Sequence, residues 1–170
     1  MRRGQVRWWA QRLALAVFAR LPVQARRRVV RAVSPTFTAG SIVVIERADG
    51  AMLLIRQSYR NGWGLPGGLL GKGESPADAA RREVGEEVGL TIELAGPAKL
   101  VMDIAPRRMD FVFRATVVGD PPETVTPTSP ELVDAQWFGR DALPRLQQET
   151  RTALAALERH DVMPFVSGRD

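Results

Sequence analysis

Apolar and polar positions along the chain change period several times, and each change predicts an element. Ser41-Ile42-Val43-Val44-Ile45-Glu46 and Met52-Leu53-Leu54-Ile55-Arg56 are β-rich runs on either side of Asp49-Gly50, the pattern of a hairpin. Ala98 to Ile104 and Met109 to Val118 read as further strands, and Ala135 to Phe138 as a short one. Leu146 to Arg159 has near-helical apolar spacing. Strands and helices are mixed without regular alternation, which predicts an α+β fold.

Ser75 to Val88 is a helix with both ends written into the sequence. Ser75 is the N-cap, Pro76 takes the first helical position, Asp78 closes a Ser-x-x-Asp pattern, and Gly89 ends the run. At about 100° per residue, Ala77, Ala80, Val84 and Val88 form one apolar stripe. Glu83, Glu86 and Glu87 share an arc beside it. Carboxylates four residues apart repel by roughly 0.2 to 0.5 kcal/mol, so this arc calls for a positive partner. Arg82 reaches Glu86 at i+4, and hard oxygen ligands clustered in this way suit Mg²⁺ or Mn²⁺. The plain alternative is an acidic, solvated helix face.

Gly64-Leu65-Pro66-Gly67-Gly68 precedes the helix and permits close backbone approach to a phosphate. Gly68, five residues, Glu74, seven residues and Arg82-Glu83-Val84-Gly85-Glu86-Glu87-Val88-Gly89-Leu90 together resemble the Nudix box, G-x5-E-x7-R-E-U-x-E-E-x-G-U with U aliphatic. Every specified position is matched. The resemblance extends over roughly Phe37 to Leu143. It implies a Nudix fold, a mixed β-sheet sandwiched between α-helices, here preceded by a basic helical extension.

The resemblance also implies a chemistry: hydrolysis of a nucleoside diphosphate linked to another moiety, by water attack on phosphorus with a divalent metal, Mg²⁺ or Mn²⁺. Glu83, Glu86 and Glu87 match the family's metal-binding carboxylates, and the Gly67 carbonyl a backbone ligand that some members use. Arg82 matches the arginine that orients a carboxylate of the box, and Glu74 a residue holding the loop to the helix. Glu131, six residues before Trp137, resembles a loop glutamate that binds metal or acts as base in some relatives; an ordinary loop acid reads equally well. Arg56 is placed to reach substrate phosphate or to pair with Glu46 or Glu74. Gly68 lines the phosphate loop, and Tyr59 and Trp63, before Pro66, are the aromatics suited to stack on a base; Phe111 and Phe113 read as core.

Substrate choice lies outside the box. Pro106, sixteen residues beyond Leu90, resembles a proline associated with ADP-ribose pyrophosphatases. ADP-ribose or a nucleotide sugar is therefore the first expectation. Oxidised-nucleotide sanitising, RNA-end pyrophosphohydrolysis and a non-catalytic nucleotide-binding module are the alternatives; the intact box argues against the last.

The 170 residues, 45% hydrophobic, suffice for one domain with an appendage. The expected divisions are a basic amphipathic helical extension over 1–35, the hydrolase domain over 36–162 and a tail over 163–170. With no cysteine there is no disulfide and no thiolate chemistry, and a single histidine, His160, excludes a multi-histidine metal site. His160 reads as a surface or capping residue.

Charge is distributed unevenly. Nine arginines and no acid occupy residues 1–35, so a net charge of +5 leaves the remainder at −4. Basicity therefore belongs to the extension, and nucleic acid is disfavoured as a partner. Trp8, Trp9, Leu13, Leu15, Val17, Phe18 and Leu21, interrupted by Arg12 and Arg20, make a helix too short and too charged to span a bilayer. Packing within the chain or a homodimer is one role for it, and peripheral contact with an anionic membrane another. A secretion signal is disfavoured because the same arginines break its apolar core. The expected location is cytoplasmic, with peripheral membrane attachment open.

Overall fold

The computed structural model describes residues 3–105, 107–159 and 165–166. Pro106 and His160, read above as a substrate-class marker and a surface or capping residue, lie outside the described residues. The chain divides into two compact units, residues 1–36 and 37–170.

The first unit contains α1 (Arg3–Arg20) and α2 (Val23–Val33). The expected helical extension is present as two helices, separated at Leu21-Pro22. Pro22 has an extended ψ of 149°, and its missing N–H and fixed φ suit a helix start and not a helix interior. The Ser34 N–H closes α2 on the Val30 carbonyl at 2.9 Å. Among the described residues, no helix is long and apolar enough to cross a membrane.

In the second unit, β1 (Thr38–Ile45), β3 (Gly67–Leu69), β4 (Ile92–Asp103), β5 (Arg108–Val117) and β7 (Phe165–Val166) form a mixed sheet in the order β3-β1-β5-β4-β7. β1 runs parallel to β5, while β4 and β5 are antiparallel. A second sheet pairs β2 (Met52–Gln57) with β6 (Leu132–Phe138). Helices α3 (Pro76–Val88) and α4 (Gln148–Glu158) cover the two faces.

Alternation along the strands explains this layering. Val43 and Ile45 of β1 and Leu53 and Ile55 of β2 face a core shared with Ala80, Val84 and Val88 of α3. Their neighbours Ile42, Val44, Met52 and Leu54 face a second core with Ala153 and Ala156 of α4. Strands buried on both faces read as continuous apolar runs, and that is how both appear in the sequence.

The same fact overturns the expected hairpin. The Asp49-Gly50 turn forms, with the Ala51 N–H donating to Asp49 at 3.0 Å, but β1 and β2 enter different sheets and share only a bridge between Glu46 and Met52. Each strand is apolar on both faces and needs a cover on each. The turn alone could not decide which partner. Two short strands were also missed. β3 reads in the sequence as a glycine loop, and β7, in the segment expected to be a tail, pairs Phe165 with Met102 and Val166 with Asp103.

Candidate active site

The site begins with the way α3 is fixed. Its N-cap forms as written, with Ser75 accepting from the Asp78 N–H at 3.2 Å, and Gly89 ends it in the left-handed conformation. Ser41, fully buried on β1, donates to the Pro76 carbonyl at 2.9 Å and ties the helix start to the sheet. At the other end Thr128 clasps the last turn, its N–H on the Glu87 carbonyl and its hydroxyl on the Glu86 carbonyl, each at 2.8 Å. Helix and cleft loop are thus held in register.

Strand β3 then brings backbone beneath the helix. Gly67, at φ +148°, pairs with Ile42, and a Cβ there would sit 2.1 Å from the Ser41 carbonyl oxygen. A Cβ on Gly68 would lie 2.3 to 2.6 Å from the Glu83 carboxylate. The glycines let a strand pass directly under the acidic arc of α3, an approach any side chain would block.

Arg82 is the hub of this arc. Its Nε and Nη2 form a fork on the two oxygens of Glu74, at 2.8 and 3.0 Å; Nη1 donates to Glu83 at 2.8 Å and to Glu86 at 3.2 Å, and Nη2 also reaches the Leu69 carbonyl at 3.1 Å. The Arg82 fork, seconded by the Gly71 N–H at 2.6 Å, holds Glu74 down at about 2. In return its hydrogen bond to Glu74, then that to Glu83, raises Arg82 above its ordinary range.

Glu87 stands apart. The arc is not a uniformly solvated face: Glu87 is buried, outside the reach of Arg82, and accepts from the Gly67 N–H at 2.9 Å. Burial pushes its carboxyl up to about 7. The Gly67 N–H opposes this, and Glu83, Glu131 and Glu86 add to it.

These groups face a cleft of about 740 Å³. Gly67, Gly68, Arg82, Glu83, Glu87, Glu131 and Tyr59 line it, and Tyr59 donates to Glu131 at 3.3 Å. Burial first, then Glu131, raises the Tyr59 phenol. Glu86 is exposed beside Arg82 and outside the lining. The Ser58 N–H on the Glu131 carbonyl at 2.9 Å holds the two loops together.

Two expected binding residues are placed elsewhere. Arg56 does not line the cleft and pairs with neither Glu46 nor Glu74; its guanidinium lies 5.8 Å from the centre of the Trp63 ring. Glu46 is taken by Arg114 and Arg140. Trp63 packs edge-on against Phe138, 4.8 Å between centroids, and belongs to the α4-side core. Successive strand residues point to opposite faces, and it is Gln57, not Arg56, that lines the cleft.

The opposite wall was not foreseen. It is built from Gln57, Arg60, Arg108, Gln147, Glu149 and Thr150 over an apolar floor of Ile42 and Leu65. Arg60 is ion-paired with Glu149, and the Arg108 Nε binds both oxygens of Asp110 at 2.9 and 2.7 Å. The Asp110 bond raises Arg108. Burial would raise Glu149, but its own backbone N–H and then Arg60 bring it below the ordinary range. These wall residues come from three separate segments, and only Arg60, one position after Tyr59, carried a local signal.

The donor chemistry fits a hard divalent cation: oxygen ligands alone, on an arc whose negative charge Arg82 leaves uncompensated at Glu87. Among the described residues no three acidic side chains already converge on one point, because Arg82 holds Glu83 and Glu86 while Gly67 holds Glu87.

The model of the NUDIX domain matches residues 36–157, and the chain belongs to the Nudix family of diphosphate hydrolases. A MutT-like protein of Streptomyces ambofaciens is 32% identical over 111 residues, covering 65% of this chain and 70% of that one. The human 8-oxo-dGDP phosphatase NUDT18 is 30% identical over 149 residues; the match covers 85% of this chain but only 40% of the human protein's length. Among solved structures, a MutT Nudix hydrolase from Burkholderia pseudomallei superposes with a TM-score of 0.63 at 28% identity, covering 72% of this chain and 99% of that one. An ADP-ribose pyrophosphatase from Streptococcus suis gives 0.59 at 25% identity, covering 74% and 96%.

Proposed function

We propose that this chain hydrolyses the diphosphate of a nucleoside diphosphate linked to a further group, with Glu83, Glu86, Glu87 and the Gly67 carbonyl as ligands for Mg²⁺ or Mn²⁺. The observation that carries this reading is the buried Glu87, held against the Gly67-Gly68 strand and, among the described residues, without a cationic partner. The metal, when bound, would neutralise phosphate oxygens and lower the pKa of a water. Arg82 positions Glu83 and Glu86 and keeps Glu74 fully ionised. Gly67 and Gly68 leave room for a phosphate against backbone. Glu131, exposed on the cleft lining and bonded by Tyr59, would accept the proton of the attacking water. Arg60 and Arg108, on the other wall, supply donors for the rest of the substrate.

A second reading takes an oxidised deoxynucleoside diphosphate as substrate, and the similarity to 8-oxo-dGDP phosphatases over 85% of this chain favours it. One assay decides both: purified protein with Mg²⁺ or Mn²⁺ and ADP-ribose, nucleotide sugars, 8-oxo-dGDP, 8-oxo-dGTP and NAD-capped RNA, with products followed by mass. Metal-dependent release of a nucleoside monophosphate from one class assigns the substrate. No turnover on any of them refutes the hydrolase reading.

A further inference from the structure

The first unit has features that its own folding leaves unexplained. Leu13 to Ala19 contains no polar residue, yet α1 does not bury this run: Trp9, Leu13 and Leu15 are 65%, 68% and 66% exposed. At about 100° per residue, Trp9, Leu13, Leu15 and Phe18 point to every side of α1, so no single packing face could cover them. A stretch apolar on every side, as Leu13 to Ala19 is between Arg12 and Arg20, is best covered by an apolar medium. In α2 the pattern is different. Val23, Val29, Val30 and Val33 share one side, with Arg27, Arg28 and Arg31 on the other.

Between the two helices lies a cavity of about 580 Å³ lined by Phe18, Val23, Arg26, Arg27, Val30 and Arg31. Its chemistry is half hydrocarbon and half guanidinium. The Arg26 Nε is buried there without a hydrogen-bond partner among the described residues, and no acid precedes Glu46 in the sequence to supply one. A buried donor on a charged group left unsatisfied is costly, so an anionic acceptor from outside the chain fits it.

We infer that the first unit is a peripheral membrane anchor for anionic phospholipid bilayers, with the Leu13 to Ala19 run of α1 set among acyl chains and α2 lying in the headgroup plane. Phospholipid alone joins the two chemistries this unit displays: acyl chains beside Phe18, Val23 and the bare flanks of α1, and phosphate oxygens beside Arg26, Arg27 and Arg31. Arginine stems allow the guanidinium groups to reach the headgroups while the backbone sits deeper. A second copy of the chain fits less well, because pairing would bring nine further arginines against these nine. Nucleic acid would leave Leu13, Leu15 and Val17 in water.

The test is sedimentation of the full chain with vesicles of phosphatidylcholine alone or mixed with phosphatidylglycerol. The wild type should pellet with the anionic vesicles, less so at high salt, and stay in solution with the neutral ones. Arg26→Gln, Arg27→Gln, Arg28→Gln and Arg31→Gln combined should weaken partitioning by about a hundredfold or more, at about fivefold per charge near the surface. Trp9→Ser with Leu13→Ser should abolish the fraction that resists salt. Both variants should keep wild-type metal-dependent turnover, which controls for folding. Failure of the wild type to bind anionic vesicles, equal binding by the arginine variant, or a dimer or RNA complex forming in place of vesicle binding would each overturn the inference.

Discussion

The two walls of the cleft are both rich in arginine and carboxylate, but they are built on opposite plans. On the α3 wall one guanidinium serves Glu74, Glu83 and Glu86, and Glu87 is left over, so the wall carries surplus negative charge. On the facing wall Arg60 has Glu149 and Arg108 has Asp110, so charge is matched pair by pair. Surplus charge invites a cation; matched pairs offer directional donors without strong net attraction. On the proposed function, the first wall would hold the metal and the second would contact the rest of the substrate.

Breaking the first wall should give the largest effect. Glu87→Gln should lower metal-dependent turnover by about a hundredfold or more while leaving the circular dichroism unchanged; near-normal turnover would remove Glu87 from the metal set. The same substitution should act oppositely on stability. A carboxyl raised to about 7 in the fold, against an ordinary 4.5, favours the folded state below pH 4.5 and loses that advantage as pH rises through 7. Without divalent metal, Glu87→Gln should therefore be more stable than wild type at pH 8, by up to about 3 kcal/mol, and equal to it near pH 4. Chemical denaturation at both pH values checks this, and a constant difference would contradict the assigned burial.

Arg82→Lys sharpens the comparison further, because a lysine cannot reproduce the fork on Glu74 while also reaching Glu83 and Glu86. We expect kcat to fall about 10- to 100-fold, with KM little changed. A loss of Tm with full kcat would make Arg82 a stabilising residue only. The smallest effect belongs to the facing wall: Arg60→Ala should raise KM about tenfold, or about 1.4 kcal/mol, at constant kcat. Equal loss in kcat would place chemistry on both walls and dissolve the distinction.

Legibility in the sequence follows the same division. The α3 wall could be read because its members lie within one helical run, where 3.6-residue periodicity converts spacing into direction. Glu83, Glu86 and Glu87 could be placed on one arc, and Arg82 beside them, before any fold was known. The burial of Glu87 could not be foreseen, since it depends on β3 passing beneath the helix, a strand that reads as a glycine loop. Arg56 shows the limit on strands: a period of two makes neighbours point apart, and the sequence does not say which of Arg56 and Gln57 meets the cleft.

The sequence by itself determined the helix and its caps, the acidic arc, the glycines that allow close approach, and the separation of a basic arm from an acidic domain. All of these rest on interactions within about one helical turn, or on composition. Only the tertiary structure decided that β1 and β2 part into different sheets, that Glu87 is enclosed while Glu86 is not, and that Arg60, Arg108, Gln147 and Glu149 meet across the cleft. Those outcomes depend on pairings between segments up to about ninety residues apart. Several partners were sterically possible for each segment, and burial of both faces of β1 and β2 selected among them.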